Sequence, residues 1–541
     1  MVLLAVFWLG VWNFLPLHKY FRSLTWVALE MEEERDKKDS GERKRMAIKT
    51  IKELLINLEK RVSSSSIALI YEGKYITYSV FLQEIDRFAM CLKEIGCRSG
   101  DVVGILFSDS PQLIYSMLSI GKIGGIFMGL NIKSHKEEIQ YLIQKSKARV
   151  IITSELLTHK LDIVKDYVQI VKIEEIKKYP SISKGLESER VDTDDMLGII
   201  LTSGTTGVAK GVYHTHNNLI TVGENCVSAW EIKEEDRLIS GIPLLSAATL
   251  SAVLMPALVK GACVVIPSDR KPSSILQSID GHKVSFILGT PTTFVQMLNF
   301  LDKNNFCFNL SSLQKGTIAG APIPKGLLNQ VKERTGCKLY PHYGMTELFA
   351  VTGVSPEGDC ETLGKPFSGI SIKIINQNGV ELPNGEIGEV VCNSPTKAKG
   401  YLNEFPHSLE EEWFHTGDLG IINQSGNLKI TGRLKNVIIR GGNNLYPEEI
   451  ESILSSYTKI SKVSVIGVQD DIYGEQVIAF VVPKEEKMLV ETEIEDFLEE
   501  RLPVFKKPQQ IIFVPEIPIT EFGKISRQKL EKMYYEKIDS H

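Results

Sequence analysis

The segment LTSGTTGVAKG (residues 201–211) combines the residue types that bind a polyphosphate. Gly204 and Gly207 let the backbone turn and approach a ligand closely, and Lys210 brings a positive charge to the end of the segment. The hydroxyl donors of the segment are Ser203, Thr205 and Thr206. The apolar run at residues 196–201 predicts a buried strand immediately before it. A phosphate-binding loop that starts from a rigid sheet edge is therefore predicted.

The spacing of this segment differs from that of the Walker motif. Lys210 stands three residues after Gly207 and is followed by Gly211, whereas the Walker motif needs a Gly-Lys pair followed by Ser or Thr. This argues against a P-loop kinase or GTPase. Taken alone, a short Gly/Thr-rich string is equally well an exposed turn without a ligand, so the other motifs must decide between the two interpretations.

Three further strings carry residues suited to nucleotide chemistry. YGMTE (residues 343–347) offers a carboxylate after a Gly turn, which suits a Mg²⁺ ligand beside phosphates. TGD (residues 416–418) offers a lone carboxylate that could accept hydrogen bonds from two ribose hydroxyls. ITEFGKISR (residues 519–527) contains Lys524 directly after a glycine. Taken singly, these strings are also typical of a turn into a helix, an Asp turn and a solvated tail lysine.

Length and composition favour a multidomain enzyme. The chain has 541 residues, of which 43% are hydrophobic, and its formal net charge is -5. Because Lys, Arg, Asp and Glu are interspersed, no general field for nucleic acid is expected. The eight cysteines form no C-x-x-C pair and have no His partners at metal-ligand spacing, which argues against zinc and against a disulfide framework. They are typical of reduced thiols in a cytoplasmic protein.

The first 45 residues differ in character from the rest of the chain. Residues 2–17 are apolar but contain Asn13 and Pro16, and they fall short of the roughly 20 residues that a spanning helix needs. A charged stretch at residues 31–45 is predicted to be disordered. We expect the native chain to start at Met46, so that residues 1–45 are a non-core extension. A membrane anchor in this extension is the alternative.

The remaining chain predicts an α/β fold with two domains. Helical and strand patterns alternate from residue 48 to residue 301, for example a helix over residues 136–146 between strands at 124–130 and 148–153, which predicts a parallel sheet covered by helices. Short strands with Gly/Asn turns follow near residue 370 and predict an antiparallel β unit. Beyond residue 435 the order β-α-β-β-α-β is predicted. The expected domains are a large N-terminal domain of stacked α/β sheets plus a β subdomain at 46–434 and a small mobile α+β domain at 435–541.

The order of the motifs strongly resembles that of the adenylate-forming superfamily of acyl-CoA synthetases, luciferases and non-ribosomal adenylation domains. TSGTTGVAKG, YGMTE, TGD, GRLKNVI and ITEFGKISR occur in this order, and the resemblance covers residues 68–535. It implies a hinge between the two domains and two half-reactions. A carboxylate attacks the α-phosphate of ATP to give acyl-AMP and pyrophosphate, and a thiol then takes the acyl group. The implied cofactors are ATP, Mg²⁺ and coenzyme A as co-substrate.

The resemblance also assigns residues by position. It implies that Lys524 bridges the acyl carboxylate and the α-phosphate, that Glu347 holds Mg²⁺ and that Lys435 is the hinge. Gly442, with Gly441, would border the entry of the phosphopantetheine arm. The residues expected to hold ATP are Thr202, Ser203, Gly204, Thr205, Thr206, Gly207, Lys210, Gly320, Ala321, Tyr343, Gly344, Thr346, Asp418 and Arg433.

The acid substrate is predicted only as a class. Acid pockets in this superfamily draw on segments like residues 242–256, which here are apolar. They contain no Asp that could pair an α-ammonium group and no Asn of the kind that aryl-acid enzymes use, so an acyl chain is favoured. A fatty or other apolar carboxylic acid is therefore predicted. Ser246 stands where a His is usual and Gly129 where a Pro is usual, which leaves substrate gating open. The acyl acceptor is predicted to be CoA; the alternative is a carrier-protein phosphopantetheine.

Overall fold

The computed structural model describes residues 48–181, 190–202, 210–303, 307–402, 409, 411–470, 472–484, 489–519 and 525–539. The expectations for residues 1–45 lie outside the described residues. The secondary-structure elements belong to one compact unit, Lys49–His541.

The described strands are β1 (Ile67–Tyr71), β2 (Lys74–Thr77), β3 (Val102–Leu106), β4 (Ile126–Gly129), β5 (Val150–Thr153), β6 (Gln169–Lys172), β7 (Met196–Thr202), β8 (Lys210–Thr215), β9 (Arg237–Ser240), β10 (Cys263–Ile266), β11 (Phe286–Gly289), β12 (Lys315–Ile318), β13 (Lys338–Met345), β14 (Phe349–Gly353), β15 (Lys365–Pro366), β16 (Ser371–Ile375), β17 (Gly388–Asn393), β18 (Gly400–Tyr401), β19 (Phe414–Ile422), β20 (Leu428–Arg433), β21 (Ile438–Arg440), β22 (Asn443–Leu445), β23 (Ile460–Asp470), β24 (Gly474–Pro483) and β25 (Gln510–Phe513). The described helices are α1 (Ile51–Arg61), α2 (Tyr78–Glu94), α3 (Pro111–Lys122), α4 (Lys136–Ser146), α5 (Ile173–Ile176), α6 (His216–Trp230), α7 (Ala247–Thr249), α8 (Met255–Lys260), α9 (Pro272–His282), α10 (Pro291–Lys303), α11 (Leu327–Thr335), α12 (Pro447–Ser455), α13 (Glu491–Glu499) and α14 (Arg527–Asp539).

Two large, mostly parallel sheets form the N-terminal part. The first has the strand order β15-β14-β13-β12-β11-β9-β10-β1-β2, and the second has the order β18-β8-β7-β4-β3-β5-β6. Helices separate the parallel strands along the chain, since parallel neighbours need a crossover connection. The predicted α/β class is confirmed. The strand β8, which the sequence pattern did not predict, runs antiparallel to β7 and pairs Lys210 with Thr202, so both ends of the predicted phosphate loop lie side by side.

Two smaller sheets follow. Strands β16, β17, β19 and β20 form the predicted antiparallel unit. In the C-terminal part, β22, β21, β24 and β23 form a sheet to which β25 adds in parallel on β24. One apolar core lies under α12 and α13 and a second under α14. The prediction of a β-α-β-β-α-β order lacked β22 and helix α14.

Local signals explain most element boundaries. Helix α1 starts at a capping box in which the Thr50 side chain accepts from the Glu53 backbone and the Glu53 side chain accepts from the Thr50 backbone. Helix α4 occupies the predicted residues and ends at Lys147, whose φ of 52° is left-handed. In the part of the chain that the structure describes, no helix combines the length and apolarity needed to cross a membrane.

Buried histidines, among them His216 and His342, make stability depend on pH. His216 is fully buried and its Nδ1 accepts the Ile51 N–H at 3.1 Å, and His342 is 4% exposed. Burial lowers the pKa of each imidazole to about 4. An unfolded histidine has a pKa of about 6.5, so the unfolded chain takes up protons first as the pH falls. We expect each histidine to reduce the free energy of unfolding by about 2 kcal/mol between pH 7.5 and pH 5.

Urea unfolding at several pH values tests this expectation. The variant H216Q should lose stability less steeply below pH 6.5 than the parent protein, because it has no imidazole to protonate at this position. The variant H159Q is the control, since His159 is exposed. Equal pH slopes for the parent protein and H216Q would contradict the assignment.

Candidate active site

The carboxyl ends of β12 and β13 bring four predicted residues to one sheet edge. These strands are parallel and pair Ile318 with Pro341. Gly320 and Ala321 follow β12 and are exposed, while Tyr343 and Gly344 continue beyond Pro341 on β13. Because parallel strands end together, the four residues lie at one end of the sheet, the end at which open α/β sheets bind ligands.

Asp418 reaches this edge from the small antiparallel sheet. Between β17 and β19, Glu389 pairs with Leu419 and Val391 pairs with His415, so residues 416–418 bulge out opposite a single residue. The TGD string therefore lies inside a strand and not in a connecting turn. The bulge directs Asp418, which is 4% exposed, toward the large sheet.

Asp418 joins two predicted residues that are distant in sequence. Its Oδ2 accepts the hydroxyl of Tyr343 at 2.7 Å, and its Oδ1 lies 2.8 Å from Nε of Arg433. Asp418 and Arg433 are direct partners across β19 and β20. Burial and the Asp418 charge raise the pKa of Tyr343 well above its usual value, so the phenol stays protonated and keeps donating. The three side chains thus form a preorganised polar group at this end of the sheet.

The YGMTE string forms a hairpin turn and not the entry to a helix. Strand β13 ends at Met345, residues 346–348 turn, and β14 begins at Phe349. Glu347 is half-buried in this turn, and its Oε1 accepts the hydroxyl of Tyr401 at 3.1 Å. The Nζ of Lys210 lies 5.7 Å from the centre of the Tyr401 ring. Tyr401 therefore connects the end of the predicted phosphate loop to the predicted Mg²⁺ ligand.

Two residues at this turn were missed by the sequence reasoning. Tyr401 lies on β18 next to Val212 of β8, and no local signal singles it out. His214 is fully buried on β8, and its Nε2 is 2.7 Å from the carbonyl oxygen of Thr346. Strand alternation could have found His214, because residues 210 and 214 of one strand share a face. This inference required the strand β8 to be recognised first.

The donor set fits Mg²⁺ held together with a polyphosphate. Glu347 supplies one carboxylate, and Tyr401 contacts both this carboxylate and the Lys210 ammonium group. Among the described residues, no group of three or more His, Cys, Asp or Glu could form an all-protein metal cage. Mg²⁺ is commonly bound by one or two carboxylates, substrate phosphates and water, so a single carboxylate at a phosphate loop suits it.

The predicted hinge lies between β20 and β21. Lys435 is exposed in a short 3₁₀ turn, Leu434–Asn436. Asn436 donates to Oε1 of Glu448 at 3.3 Å, and Glu448 Oε1 also accepts from Arg527 at 3.1 Å. The segment that follows the tail lysine is thereby tied to the hinge.

Gly442 lies at the tip of the β21–β22 hairpin. Arg440 and Asn443 pair across this hairpin, with Gly441 and Gly442 between them at φ values of 56° and 78°. Such two-residue turns need positive φ at both positions. No atom lies within 4 Å of a Cβ built on Gly442. The turn geometry therefore explains the glycine in this arrangement, whereas the predicted role at a thiol entry stays a prediction.

Some predicted residues lie outside the described residues, namely Ser203, Gly204, Thr205, Thr206, Gly207 and Lys524. Of the phosphate loop, Thr202 and Lys210 are described, and Lys210 is exposed. The roles assigned to the whole set stay predictions.

In residues 242–256, the segment predicted to line the acid pocket, the hydroxyl groups form hydrogen bonds with one another or with neighbouring protein groups. Ser246 caps α7 by accepting from the Thr249 N–H at 3.3 Å, and Thr249 Oγ1 lies 2.8 Å from Ser240 Oγ. Ser251 Oγ donates to the Ala247 carbonyl at 2.8 Å. A Cβ on Gly129 would lie 2.7 Å from Leu245, so this glycine allows the segment to pack on β4. These hydroxyls are hydrogen-bonded, which leaves the segment apolar toward a ligand.

The fold and the site define an adenylate-forming enzyme: two stacked α/β sheets, a small antiparallel sheet that delivers Asp418, and a separate C-terminal sheet. The chain belongs to the AMP-binding enzyme family, because the sequence model of that family matches residues 59–402. The model of the AMP-binding enzyme C-terminal domain matches residues 449–524. The resemblance inferred from the motifs is confirmed.

Three similar proteins are named as CoA ligases or CoA synthetases. Feruloyl-CoA synthase of Amycolatopsis sp. is 29% identical over 88% of this chain and 97% of its own length. Long-chain-fatty-acid–CoA ligase of Bacillus subtilis is 29% identical over 89% of this chain and 94% of its own length. The structure of O-succinylbenzoate coenzyme A synthetase of Bacillus subtilis with ATP and magnesium has a TM-score of 0.77 and 28% identity, and the match covers 88% of this chain and 98% of that chain.

Proposed function

We propose that this protein uses Mg²⁺ and ATP to activate an apolar carboxylic acid and then transfers the acyl group to CoA. In the first half-reaction a carboxylate oxygen of the acid attacks the α-phosphorus, and the bond to the β-phosphate oxygen breaks, which releases pyrophosphate. In the second, the CoA thiol loses its proton and attacks the acyl carbonyl, and AMP leaves.

The observation that carries the proposal is that β13 and the turn after it bring together two groups of polar side chains. Tyr343, Asp418 and Arg433 are linked by contacts of 2.7 and 2.8 Å, and the turn that follows Tyr343 carries Glu347 beside Tyr401. Asp418 and Arg433 would hold the ribose, and Gly320, Ala321, Tyr343 and Gly344 would border the adenine. Glu347 would hold Mg²⁺, and Thr346 would help to hold the ATP beside it. Mg²⁺ neutralises phosphate charge when it is bound.

The apolar character of residues 242–256 supports an apolar acid. No ionisable side chain lies in this segment, and its hydroxyls are engaged in hydrogen bonds. Because an unpaired polar group in the substrate tail would lose its hydration there, polar tails are disfavoured. The relatives act, by their names, on a feruloyl group, on long-chain fatty acids and on O-succinylbenzoate. The feruloyl and long-chain fatty groups make aryl and alkyl acids both candidates within the apolar class, whereas O-succinylbenzoate carries a second, polar carboxylate.

ATP–pyrophosphate exchange over a panel of acids tests the proposal. We expect exchange with apolar aryl or alkyl acids and none with amino acids, followed by acyl-CoA and AMP formation when CoA is added. Exchange that stops at acyl-AMP in the presence of CoA would favour a carrier-protein acceptor. Exchange with amino acids alone would contradict the assigned substrate class.

A further inference from the structure

The turn that carries Glu347 is held by three separate donors. The carbonyl oxygens of Thr346, Glu347 and Leu348 accept from three different residues. These donors are His214 Nε2 at 2.7 Å, the Ala398 N–H at 2.8 Å and Thr396 Oγ1 at 2.7 Å, in that order. The Ala398 and Thr396 contacts come from the segment before β18. His214 alone of the three comes from β8, the strand that starts at Lys210.

His214 packs on the turn as well as bonding to it. Its ring lies on Phe349 with centroids 4.1 Å apart. Phe349 has a backbone φ of 58°, a value that residues other than glycine rarely adopt. Such strain persists only where surrounding contacts over-determine the conformation, and it concentrates at functional sites. The imidazole, whose plane is tilted by 36° from that of the phenyl ring, is one of those contacts.

The hydrogen bond assigns the His214 tautomer. Nε2 is 2.7 Å from the Thr346 carbonyl, whereas Nδ1 is 3.3 Å from Oδ1 of Asn218. Both neighbours are oxygens, and a neutral imidazole has one N–H. The shorter contact places the proton on Nε2, which therefore donates to the turn. Asn218 Oδ1 also accepts from the Thr215 N–H at 3.0 Å, which holds the amide in place.

We propose that His214 is a positioning residue that sets the Glu347 carboxylate at a defined distance from Lys210 and thereby tunes Mg²⁺ binding. Lys210 and His214 lie on the same face of β8, because side chains alternate along a strand. Of the three contacts that hold the turn, the His214 hydrogen bond is the one that links it to the strand carrying Lys210. This inference rests on the proposed function, in which Glu347 holds Mg²⁺.

The test measures ATP binding without turnover. The Kd of ATP is determined by calorimetry in the absence of any acid, over a series of Mg²⁺ concentrations and in EDTA. The variant H214F keeps a ring on Phe349 but removes the donor, and H214Q keeps an N–H donor at a similar reach. Partners that orient metal ligands typically contribute about 10- to 100-fold in metal affinity. We expect H214F to lower the apparent Mg²⁺ affinity by about 10-fold or more and H214Q to restore most of it.

Two control variants separate the outcomes. H216Q removes another fully buried histidine that contacts α1 instead of the turn, and it should leave the Mg²⁺ dependence unchanged. E347Q tests the proposed function: if it does not alter the Mg²⁺ dependence, the metal role of Glu347 fails. If E347Q alters that dependence and H214F does not, the role of His214 alone is overturned.

A merely structural role for His214 gives a different pattern. In that case H214F would weaken ATP binding equally in Mg²⁺ and in EDTA, and this result overturns the proposal. Should H214F fail to fold, H214L and H214Q carry the same comparison. Equal Mg²⁺ dependence in these two variants would then overturn it, since only glutamine retains the donor.

Discussion

Replacing Lys524 with alanine is expected to lower acyl-AMP formation on the order of 10²- to 10³-fold. Two anions, the acid carboxylate and the α-phosphate, must meet while negative charge builds on the phosphorus oxygens. A preorganised cation aimed at that charge contributes a few kcal/mol, which corresponds to this factor. The thiol step attacks an acyl carbonyl after pyrophosphate has left, so it does not need the same cation. ATP–pyrophosphate exchange measures the first effect.

The second half-reaction separates this role from a general loss of structure. K524A supplied with preformed acyl-AMP and CoA should form thioester at close to the parent rate. K529A is the matched control, because Lys529 is an exposed lysine on α14, five positions further along the chain. Equal losses in both half-reactions of K524A would count against the assigned role.

Replacing Lys435 with proline is expected to retain acyl-AMP formation and to reduce thioester formation on the order of 100-fold. Lys435 lies in the 3₁₀ turn Leu434–Asn436 between β20 and β21, where we expect one backbone torsion to swing the C-terminal part. Proline restricts φ to about -65° and costs about 3 kcal/mol where another value is needed, which corresponds to about two decades in rate. Single-turnover assays of each half-reaction measure the effect.

The alanine variant shows whether the backbone or the side chain matters. K435A removes the ammonium group but leaves φ free, so thioester formation should exceed that of K435P. Thioester formation by K435P at the parent rate would refute a hinge at this position. Loss of both half-reactions in K435P, with an unchanged unfolding midpoint, would also refute it, since the first half-reaction should not need the swing.

The sequence by itself determined the family, the order of the motifs and many of the elements. Helix α4 occupies the predicted residues because apolar periodicity and first-turn acids are local properties. The first helix of the predicted C-terminal order is α12, which begins at Pro447 with acids in its first turn. The predicted α/β alternation likewise depends only on neighbouring residues. In contrast, β8 was missed because both of its faces are buried, so that it has no apolar/polar alternation, and because it contains the polar residues His214 and Thr215.

Only the tertiary structure decided which predicted residues meet. Tyr343 and Asp418 are 75 positions apart, and their contact depends on a bulge in β19 and on the packing of a small sheet against a large one. The contacts of His214 with Thr346 and of Tyr401 with Glu347 likewise cross between sheets. Short-range patterns specify turns and periodicity, whereas such contacts depend on strand register. Register is set by the packing of the whole core, and a one-residue slip would turn these side chains away from the site.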